Sequence, residues 1–562
     1  MNKMNDKVFV TRRALGALIA GTVALQACAE TPAPVLMMRL RMNDTQSVEA
    51  WKDSFKAIKD HPGCCDEIWF STGCGVPSLD WHRANAKVIA GAIADVKAAG
   101  IVPSLQFQAT LGHGDGIIAA NMFSNKTWTG WTGPQGVEGK ECNCPRQPAF
   151  LAYLREVSEI YAELGFASLW LDDDLRSRNH FPATGWDVKQ SGCWCETCID
   201  AYNRETGGAW TRETLAEAVR DDPERQVSWR KFTLDSLVGV AKTVAGVFHD
   251  VSPKTTMGLQ QCADVQNVDE ILAILKALYE TSGQKIGFRG GGGAYGDDAP
   301  DNVLLKSLFS CRFRQQLGNP DYVKVWVPEI ESFPRTYYSI STQGVLVQAF
   351  SGLMFGLNGV SYFISNPAQE SPSLYGDTFW KTLAEASACI TGYARATEGC
   401  TAVGFSVPSL KDVGMLRAAI PALLGPGKAV GSLTEAELGR TLKNMSSKSV
   451  QDLRERLDSQ AGGLPACVCS PFAGLMQIHV DPDGRFRTLA LMNARIAPQG
   501  PVRVRLSQLP ECAKALVWHE MGCEPLRIPL ERTDGKAFAT IPRISAWNAG
   551  YLILHRKGAE TR

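Results

Sequence analysis

Three consecutive carboxylates follow a short apolar run in the segment Ala167-Ser-Leu-Trp-Leu-Asp172-Asp173-Asp174. A buried strand keeps acidic residues only where they meet solvent, a metal ion or a substrate, because burying an unpaired charge costs free energy. A second run, Val323-Lys-Val-Trp-Val-Pro-Glu329-Ile-Glu331, also ends in carboxylates. Two strands that direct carboxylates at one mouth supply what glycoside hydrolysis needs, an acid/base and a nucleophile or second base.

The segments that position these residues alternate between strand and helix patterns. The predicted strands are Leu36–Met42, Glu67–Thr72, Ile101–Gln108, Ala167–Asp172, Thr256–Gln261, Lys285–Arg289, Val323–Glu331 and Gly359–Ser365. Eight strand–helix units within about 360 residues predict a (β/α)8 TIM barrel, whose active site lies at the carboxyl ends of the strands. A doubly wound sheet is the alternative, which the absence of a dinucleotide fingerprint disfavours.

A chain of 562 residues is too long for one compact core, so several domains are expected. We predict an export signal over residues 1–33, the barrel over 34–400, a small α/β domain over 401–470 and a β-sandwich over 471–562. The last assignment rests on short β runs separated by turn signals such as Asp534-Gly535.

The N-terminus has the order of a twin-arginine export signal. Arg12-Arg13 precedes a modest apolar run that leads to Leu25-Gln-Ala-Cys28-Ala. Either Cys28 is lipidated, or cleavage after the small residues releases the chain, and both place the protein in the periplasm or cell envelope. No internal segment reaches the ~18–20 apolar residues of a membrane span.

The charge balance excludes one class of partner. The chain carries 58 basic and 58 acidic residues, so no net charge favours nucleic acid.

Four cysteines suit a metal site. Cys193, Cys195 and Cys198 stand in a Cys-x-Cys-x-x-Cys run, and Cys144 precedes them. Four thiolates favour tetrahedral zinc, which a protein folded before twin-arginine export could acquire in the reducing cytoplasm. Cys142 is an alternative fourth ligand, and a disulfide with spare thiols is the alternative to zinc. Other disulfide candidates are Cys64-Cys65, Cys467/Cys469 and Cys512/Cys523.

Further polar residues lie at or just beyond the predicted strand ends. They are Arg41, Gln106, Gln108, His113 and Arg289. Each could line the subsite of the non-reducing sugar. For His113, in a glycine-rich loop, a purely structural role is an equal alternative.

Several ordered segments resemble glycoside hydrolase family 42, the β-galactosidase-like members of a TIM-barrel clan. They are Cys144-Pro-Arg-Gln-Pro-Ala-Phe150, Trp170-Leu-Asp-Asp-Asp174, Cys193-Trp-Cys-Glu-Thr-Cys198, Glu331-Ser-Phe-Pro334 and Gly359-Val-Ser-Tyr362-Phe363. Their order and approximate spacing hold from about residue 36 to 400, which indicates a divergent relative of that family.

The resemblance implies a role for each matched residue. Asp174 is the expected acid/base on strand four, and Glu331 is the expected nucleophile on strand seven, with Glu329 deeper, buried and hydrogen-bonded. Asp173 and Tyr362 are expected to contact the substrate, and Asp172 is expected to be structural. The family has Asn-Glu where this chain has Asp173-Asp174, so specificity for β-galactosides does not carry over.

Three functions follow from these residues. The first is an exported glycosidase that acts on an oligo- or polysaccharide, by retention or, because aspartate is short, by inversion. We expect it to carry a structural zinc and to assemble as a homo-oligomer. The second is a catalytically inactive carbohydrate-binding relative. The third is a metal-dependent hydrolase that uses the Asp triplet, which a chain with only eight histidines disfavours.

Overall fold

The computed structural model describes residues 35–39, 48–114, 126–178, 188–261, 268–291, 314, 316–331, 340–363, 372–406, 427–432, 434, 436 and 447–554. The predicted export signal, with Cys28, and the substrate-contact candidate Arg41 lie outside these residues. Within them, no helix is both long enough and apolar enough to cross a membrane.

Ten strands occupy the N-terminal two thirds of the described chain. They are β1 Leu36–Arg39, β2 Glu67–Ser71, β3 Val102–Phe107, β4 Gly130–Thr132, β5 Glu138–Asn143, β6 Ser168–Leu171, β7 Thr256–Gln261, β8 Ile286–Gly290, β9 Val323–Glu331 and β10 Val360–Phe363. Eight of them form a closed barrel in the order β1-β10-β9-β8-β7-β6-β3-β2, with every pair parallel. The predicted TIM barrel is confirmed, although the first strand is described only to Arg39.

Helices cover the barrel. They are α1 Val48–Asp60, α2 Leu79–Ala98, α3 Pro148–Ala162, α4 Glu196–Thr206, α5 Arg212–Asp221, α6 Pro223–Val251, α7 Val268–Ser282, α8 Thr342–Met354 and α9 Pro372–Thr397. The chain between Arg212 and Val251 forms two helices rather than one, because Pro223 starts a new helix. Asp222 caps that start, its carboxylate accepting a hydrogen bond from the Glu224 amide at 2.9 Å.

The lower barrel interior is filled by a small apolar layer. Trp69 and Trp170 stack with ring centroids 4.4 Å apart, and Met37 and Val327 pack against them. Gly258 and Gly287 lie against the Trp170 indole so closely that a Cβ atom at either position would clash with it. Glycine at these two positions, on β7 and β8, therefore leaves room for the Trp170 indole to extend across the barrel. Polar groups occupy the layer above.

The C-terminal region is a mostly antiparallel, curled sheet. Its strands are β11 Thr401–Ser406, β12 Gly427–Ser432, β13 Ala466–Val468, β14 Gly474–Val480, β15 Phe486–Asn493, β16 Val502–Leu506, β17 Ala515–Glu520, β18 Leu526–Thr533, β19 Lys536–Ile541 and β20 Ala549–Leu554, with α10 Ser447–Gln460 beside them. The order is β12-β11-β14-β15-β20-β17-β18-β19-β16-β13. Strands from the segments 401–470 and 471–562 thus share one sheet, and the division into two domains there stays a prediction.

One helix connects the barrel to this sheet. On α9, Tyr393 stacks on Phe350 of α8 with centroids 4.9 Å apart and lies 5.3 Å from the Tyr551 ring of β20. The Gln343 side chain also donates a hydrogen bond to the Trp547 carbonyl at 2.7 Å. The sheet therefore packs on the helices outside the barrel.

Candidate active site

Strand alternation explains which polar side chains enter the barrel. Met37 and Val327 face the interior apolar layer, and residues two apart on a strand share a face. Arg39 on β1 and Glu329 on β9 therefore point inward, one step above that layer. Glu331 continues the same face about 7 Å further along β9, where the strand ends.

Above the apolar layer, six inward side chains form a closed ring of hydrogen bonds and ion pairs. Going round the barrel, the ring members are Arg39, Gln106, Asp172, Gln260, Arg289 and Glu329. Each comes from a different barrel strand or from its carboxyl end. All six are buried. The ring closes the barrel below the mouth, so it forms the floor of the site.

On one side of the ring, two arginines share a carboxylate. Glu329 Oε1 lies 2.6 Å from an Nη of Arg39 and 2.9 Å from an Nη of Arg289. A carboxylate this deeply buried is tolerated because opposite charges compensate its lost hydration. The expectation that Glu329 is a deep, hydrogen-bonded residue is confirmed.

On the other side of the ring, two glutamines hold Asp172. The side-chain amides of Gln106 and Gln260 donate to Asp172 Oδ1 at 2.8 Å and 3.4 Å. Their carbonyl oxygens accept from Arg39 and Arg289, which closes the ring. Burial, followed by repulsion from Asp173 and Asp174, raises the pKa of Asp172 to about 7.

At the mouth, Asp174 is paired with a histidine. His113 Nδ1 and Asp174 Oδ1 are 2.6 Å apart, and an Nη of Arg176 lies 3.8 Å from the same oxygen. Asp174 is fully buried, and its Oδ2 has no hydrogen-bond partner among the described residues. Burial alone would lower the pKa of His113, but the charge and hydrogen bond of Asp174, with Asp173 and Asp172 behind it, raise it to about 9.

Asp173 completes the carboxylates beside the floor. Its Oδ2 lies 3.9 Å from an Nη of Arg289, which joins a residue after strand four to one on strand six. Of the predicted site residues, the structure thus brings Asp173 together with Arg289 and Asp174 together with His113. Glu331 ends strand seven on the face of Glu329.

Tyr362 does not join this group. On β10 it is level with Met38 and Ile330, which pack in the layer between barrel and helices, and Tyr362 packs in the same layer. Its hydroxyl is fully buried, and burial raises its pKa. The substrate contact predicted for Tyr362 finds no support in this position, because adjacent residues on a strand face opposite ways.

His113, Asp173 and Asp174 place potential ligand atoms within 4.8 Å of one another. However, the 2.6 Å separation of the His113 nitrogen and the Asp174 oxygen is that of a charge-assisted hydrogen bond. A proton then lies between the atoms that a cation would have to bridge. This geometry favours proton chemistry over the metal-dependent alternative.

The four predicted cysteine ligands do converge. The sulfur atoms of Cys144, Cys193, Cys195 and Cys198 all lie within 4.8 Å of one another and are buried. Cys144 Sγ is 3.4 Å from Cys198 Sγ and 3.5 Å from Cys195 Sγ. Tetrahedral zinc with bonds of about 2.3 Å needs sulfurs about 3.8 Å apart, whereas a disulfide needs about 2 Å. The donor set therefore fits zinc better than a disulfide.

The cluster of four cysteines also contacts the β4–β5 hairpin, which we did not predict from the sequence. The Thr132 amide of β4 donates to Cys193 Sγ at 3.4 Å, and the Trp194 amide donates to the Thr132 carbonyl at 2.8 Å. Hydrogen bonds from Cys144, Cys193 and Cys198 lower the pKa of the Cys195 thiol. Cys144, and not Cys142, completes the set. Cys142 donates instead to the Gly112 carbonyl at 3.4 Å.

Two members of the ring were not predicted as site residues. Arg39 precedes the predicted Arg41 by two residues in the sequence, a spacing that could have pointed to it. Gln260 stands in a polar Gln-Gln pair that ends strand five, a weaker signal. Neither could be linked to Asp172 or Glu329 without the closed barrel.

The sequence matches no protein-family model and no curated protein. Among solved structures, the chain is similar to a catalytic mutant of a GH42 β-galactosidase from G. stearothermophilus, with a TM-score of 0.57 and 8% identity over 93% of this chain and 98% of that one. It is also similar to α-L-fucosidase isoenzyme 2 from Paenibacillus thiaminolyticus, with a TM-score of 0.53 and 9% identity over 93% of this chain and 100% of that one. Such low identities show the fold alone, and at that level the resemblance to family 42 is confirmed.

Proposed function

We propose that this protein is a glycoside hydrolase in which Asp174 is the acid/base and Glu331 the nucleophile. The observation that carries the proposal is the layered mouth of the barrel. Carboxylates end strands four and seven, directly above the buried charged floor. Within that floor Glu329 is bound by Arg39 and Arg289, so we assign it no part in the reaction. The likeness in fold to a β-galactosidase and a fucosidase supports the same reaction class.

The chain's own residues would divide the reaction between two steps. Glu331 attacks the anomeric carbon while the glycosidic oxygen takes a proton from the Asp174 side, so the C–O bond breaks and a glycosyl ester forms. Water then attacks the anomeric carbon and loses a proton to the Asp174 side, so the bond to Glu331 breaks, the sugar is released and both groups are restored. Arg289 and Asp173 would orient sugar hydroxyls beside the floor.

Inversion is the alternative outcome, because an aspartate reaches less far than a glutamate. A retaining site needs carboxyl groups about 5–5.5 Å apart, and an inverting one about 6.5–9.5 Å. Proton NMR of the first-formed anomer decides between them, since a product with inverted anomeric configuration excludes double displacement.

The test of the function is turnover of a panel of aryl glycosides that includes pyranosides and furanosides. We expect at least one member to be hydrolysed by the unmodified chain and by a chelator-treated sample. Binding of glycans without any turnover would instead favour the inactive carbohydrate-binding relative. Loss of activity on chelation, with the fold intact, would favour metal-dependent hydrolysis.

We further propose that zinc is the ion that the four cysteines hold, and that its role is structural. When bound, it would cross-link the segment before α3 to the segment before α4. A set of four thiolates leaves no open position for a catalytic water. The ion would therefore support the fold, while the barrel mouth carries the reaction.

We also propose that the protein acts in the periplasm or at the cell envelope. The support is the Arg12-Arg13 signal in the sequence. Replacing both arginines by lysine should leave the precursor in the cytoplasm, which cell fractionation would measure. Normal export and processing of that variant would contradict the assignment.

A further inference from the structure

The acid group of the proposed reaction is not a solitary carboxyl group. His113 Nδ1 approaches Asp174 Oδ1 to 2.6 Å, while the other oxygen of Asp174 is buried without a hydrogen-bond partner among the described residues. An unpaired buried oxygen costs free energy until something donates to it or accepts from it. One oxygen of Asp174 is thus occupied by His113, and the other is the atom with capacity left for a substrate.

We propose that Asp174 works as a pair with His113, which holds and orients its acid proton. This inference rests on the glycosidase assignment above. The pair carries one proton that it can give up. In the reacting form of the pair, the acid proton is on Asp174 Oδ2 and a neutral His113 donates its Nδ1–H to Oδ1. When the Oδ2 proton passes to the glycosidic oxygen, an imidazole and a carboxylate remain. In the second step the attacking water gives a proton back to the pair, which restores the pair's starting protonation state.

The charges around His113 favour this arrangement. Asp174, Asp173 and Asp172 face the imidazole, and together they outweigh the effect of its burial, so that its pKa rises to about 9. Arg176 places an Nη 3.8 Å from Asp174 Oδ1 and adds a positive charge beside the pair. At neutral pH the imidazolium form therefore dominates.

The loop that carries His113 is fixed from below by strand β5. The Asn143 amide donates to the Leu111 carbonyl at 2.8 Å, and its side chain donates to the Thr110 carbonyl at 3.1 Å. Gly112 has a φ of +96°, and a Cβ there would meet the Glu141 carbonyl, so only glycine permits this approach. β5 runs directly into Cys144. The thiol cluster and the acid pair are therefore linked through one short strand.

The first test needs no turnover. NMR titration of isotope-labelled histidine in the full chain, with the His113 signal identified by its loss in His113→Gln, should give a pKa near 9. In Asp174→Asn it should fall to 7 or below, because the largest attraction is removed. A His113 pKa near the ordinary value of about 6.5 in the unmodified chain would overturn the proposal.

The second test uses the leaving-group dependence of hydrolysis. His113→Gln should lower kcat/KM about 100-fold for aryl glycosides with poor leaving groups, which need a proton, and only a few-fold for dinitrophenyl glycosides, which do not. The basic limb of its pH profile should also move to lower pH. His249→Gln, at an exposed position on α6, is the control and should match the unmodified chain.

Equal losses for all leaving groups, with an unmoved basic limb, would show that His113 only supports the fold and would overturn the proposal. If the unmodified chain hydrolyses no glycoside, the glycosidase assignment fails. The NMR titration would still decide whether the pair exists, so the two failures are distinguishable.

Discussion

Two layers of charged residues at the carboxyl ends of the barrel strands differ in how their hydrogen bonds are satisfied. In the lower layer, Glu329 is shared by two arginines and Asp172 by two glutamines, so the ring supplies its own partners. In the upper layer, Asp174 has one oxygen held by His113 and one without a partner in the described chain. Charges that satisfy one another build a rigid floor, whereas a group with capacity left over can meet a substrate.

The same difference between the two layers distinguishes two glutamates on one strand. Glu329 and Glu331 share a face of β9, two residues apart, yet only the deeper one is placed between Arg39 and Arg289. Depth along the barrel axis, not residue type, therefore predicts which of the two supports the site and which takes part in the reaction. Mutating each glutamate separately is the most direct test of this difference.

The largest expected effect is that of Glu331→Ala on turnover. Removing the proposed nucleophile should lower kcat by about 10⁴-fold or more, while added azide should restore part of the rate by attacking the sugar in its place. Kinetics on the best aryl glycoside, with and without azide, measure this, and the melting temperature should change little. Near-normal turnover would exclude Glu331 as nucleophile.

Glu329→Gln should act on stability instead. It leaves two buried guanidinium groups without their shared carboxylate, and breaking a buried ion pair in this way costs about 3–5 kcal/mol. Chemical denaturation should show that loss, and Glu331→Gln serves as the matched control on the same strand. Equal stability of the two variants would mean that the floor and the upper layer do not differ as described.

The barrel could be predicted from the sequence because its strands are short apolar runs that end in polar residues. The β4–β5 hairpin could not, because it lies in a glycine-rich segment without a β pattern. The eighth strand is predicted correctly, but the side of the sheet on which Tyr362 lies is not. A strand buried on both faces has no alternation of polar and apolar residues to show which side chains point inward. Strand β18 of the C-terminal sheet is hard to predict, because Pro529 interrupts its apolar alternation and most of its residues are exposed.

The floor of the site lay beyond sequence reasoning for a different reason. Arg39 and Glu329 are 290 residues apart in the chain and meet only because the barrel closes and its registers align. The motifs identified the carboxylates and the cysteines one by one. Their partners, His113 for Asp174 and Gln260 for Asp172, are set by distances across the barrel mouth, which no local pattern encodes.

Cys195→Ser tests whether the thiol cluster supports the acid pair from outside the barrel. It should abolish zinc binding and lower the free energy of unfolding by about 2–3 kcal/mol, with activity lost only as far as the His113 loop moves. Metal analysis of protein folded in the cytoplasm measures the first effect. Cys142→Ser is the matched control, because Cys142 lies outside the four-sulfur set and serine can keep its hydrogen bond to Gly112. Equal zinc in both variants, or none in the unmodified chain, would contradict the assignment.

The last expected effect concerns Asp172 and depends on pH. Its pKa is about 7 in the folded chain and about 4 when unfolded, so between these values the folded state retains a proton that the unfolded state has lost. Stability therefore falls as pH rises from about 4 to 7 on account of this group. Asp172→Asn keeps an oxygen for Gln106 and Gln260 but cannot ionise. It should be nearly neutral at pH 4 and stabilising at pH 8 by at least ~1 kcal/mol, the free energy of one pKa unit. Denaturation curves at both pH values measure this difference, and a variant less stable at pH 8 than the unmodified chain would show that the floor needs the charge of Asp172.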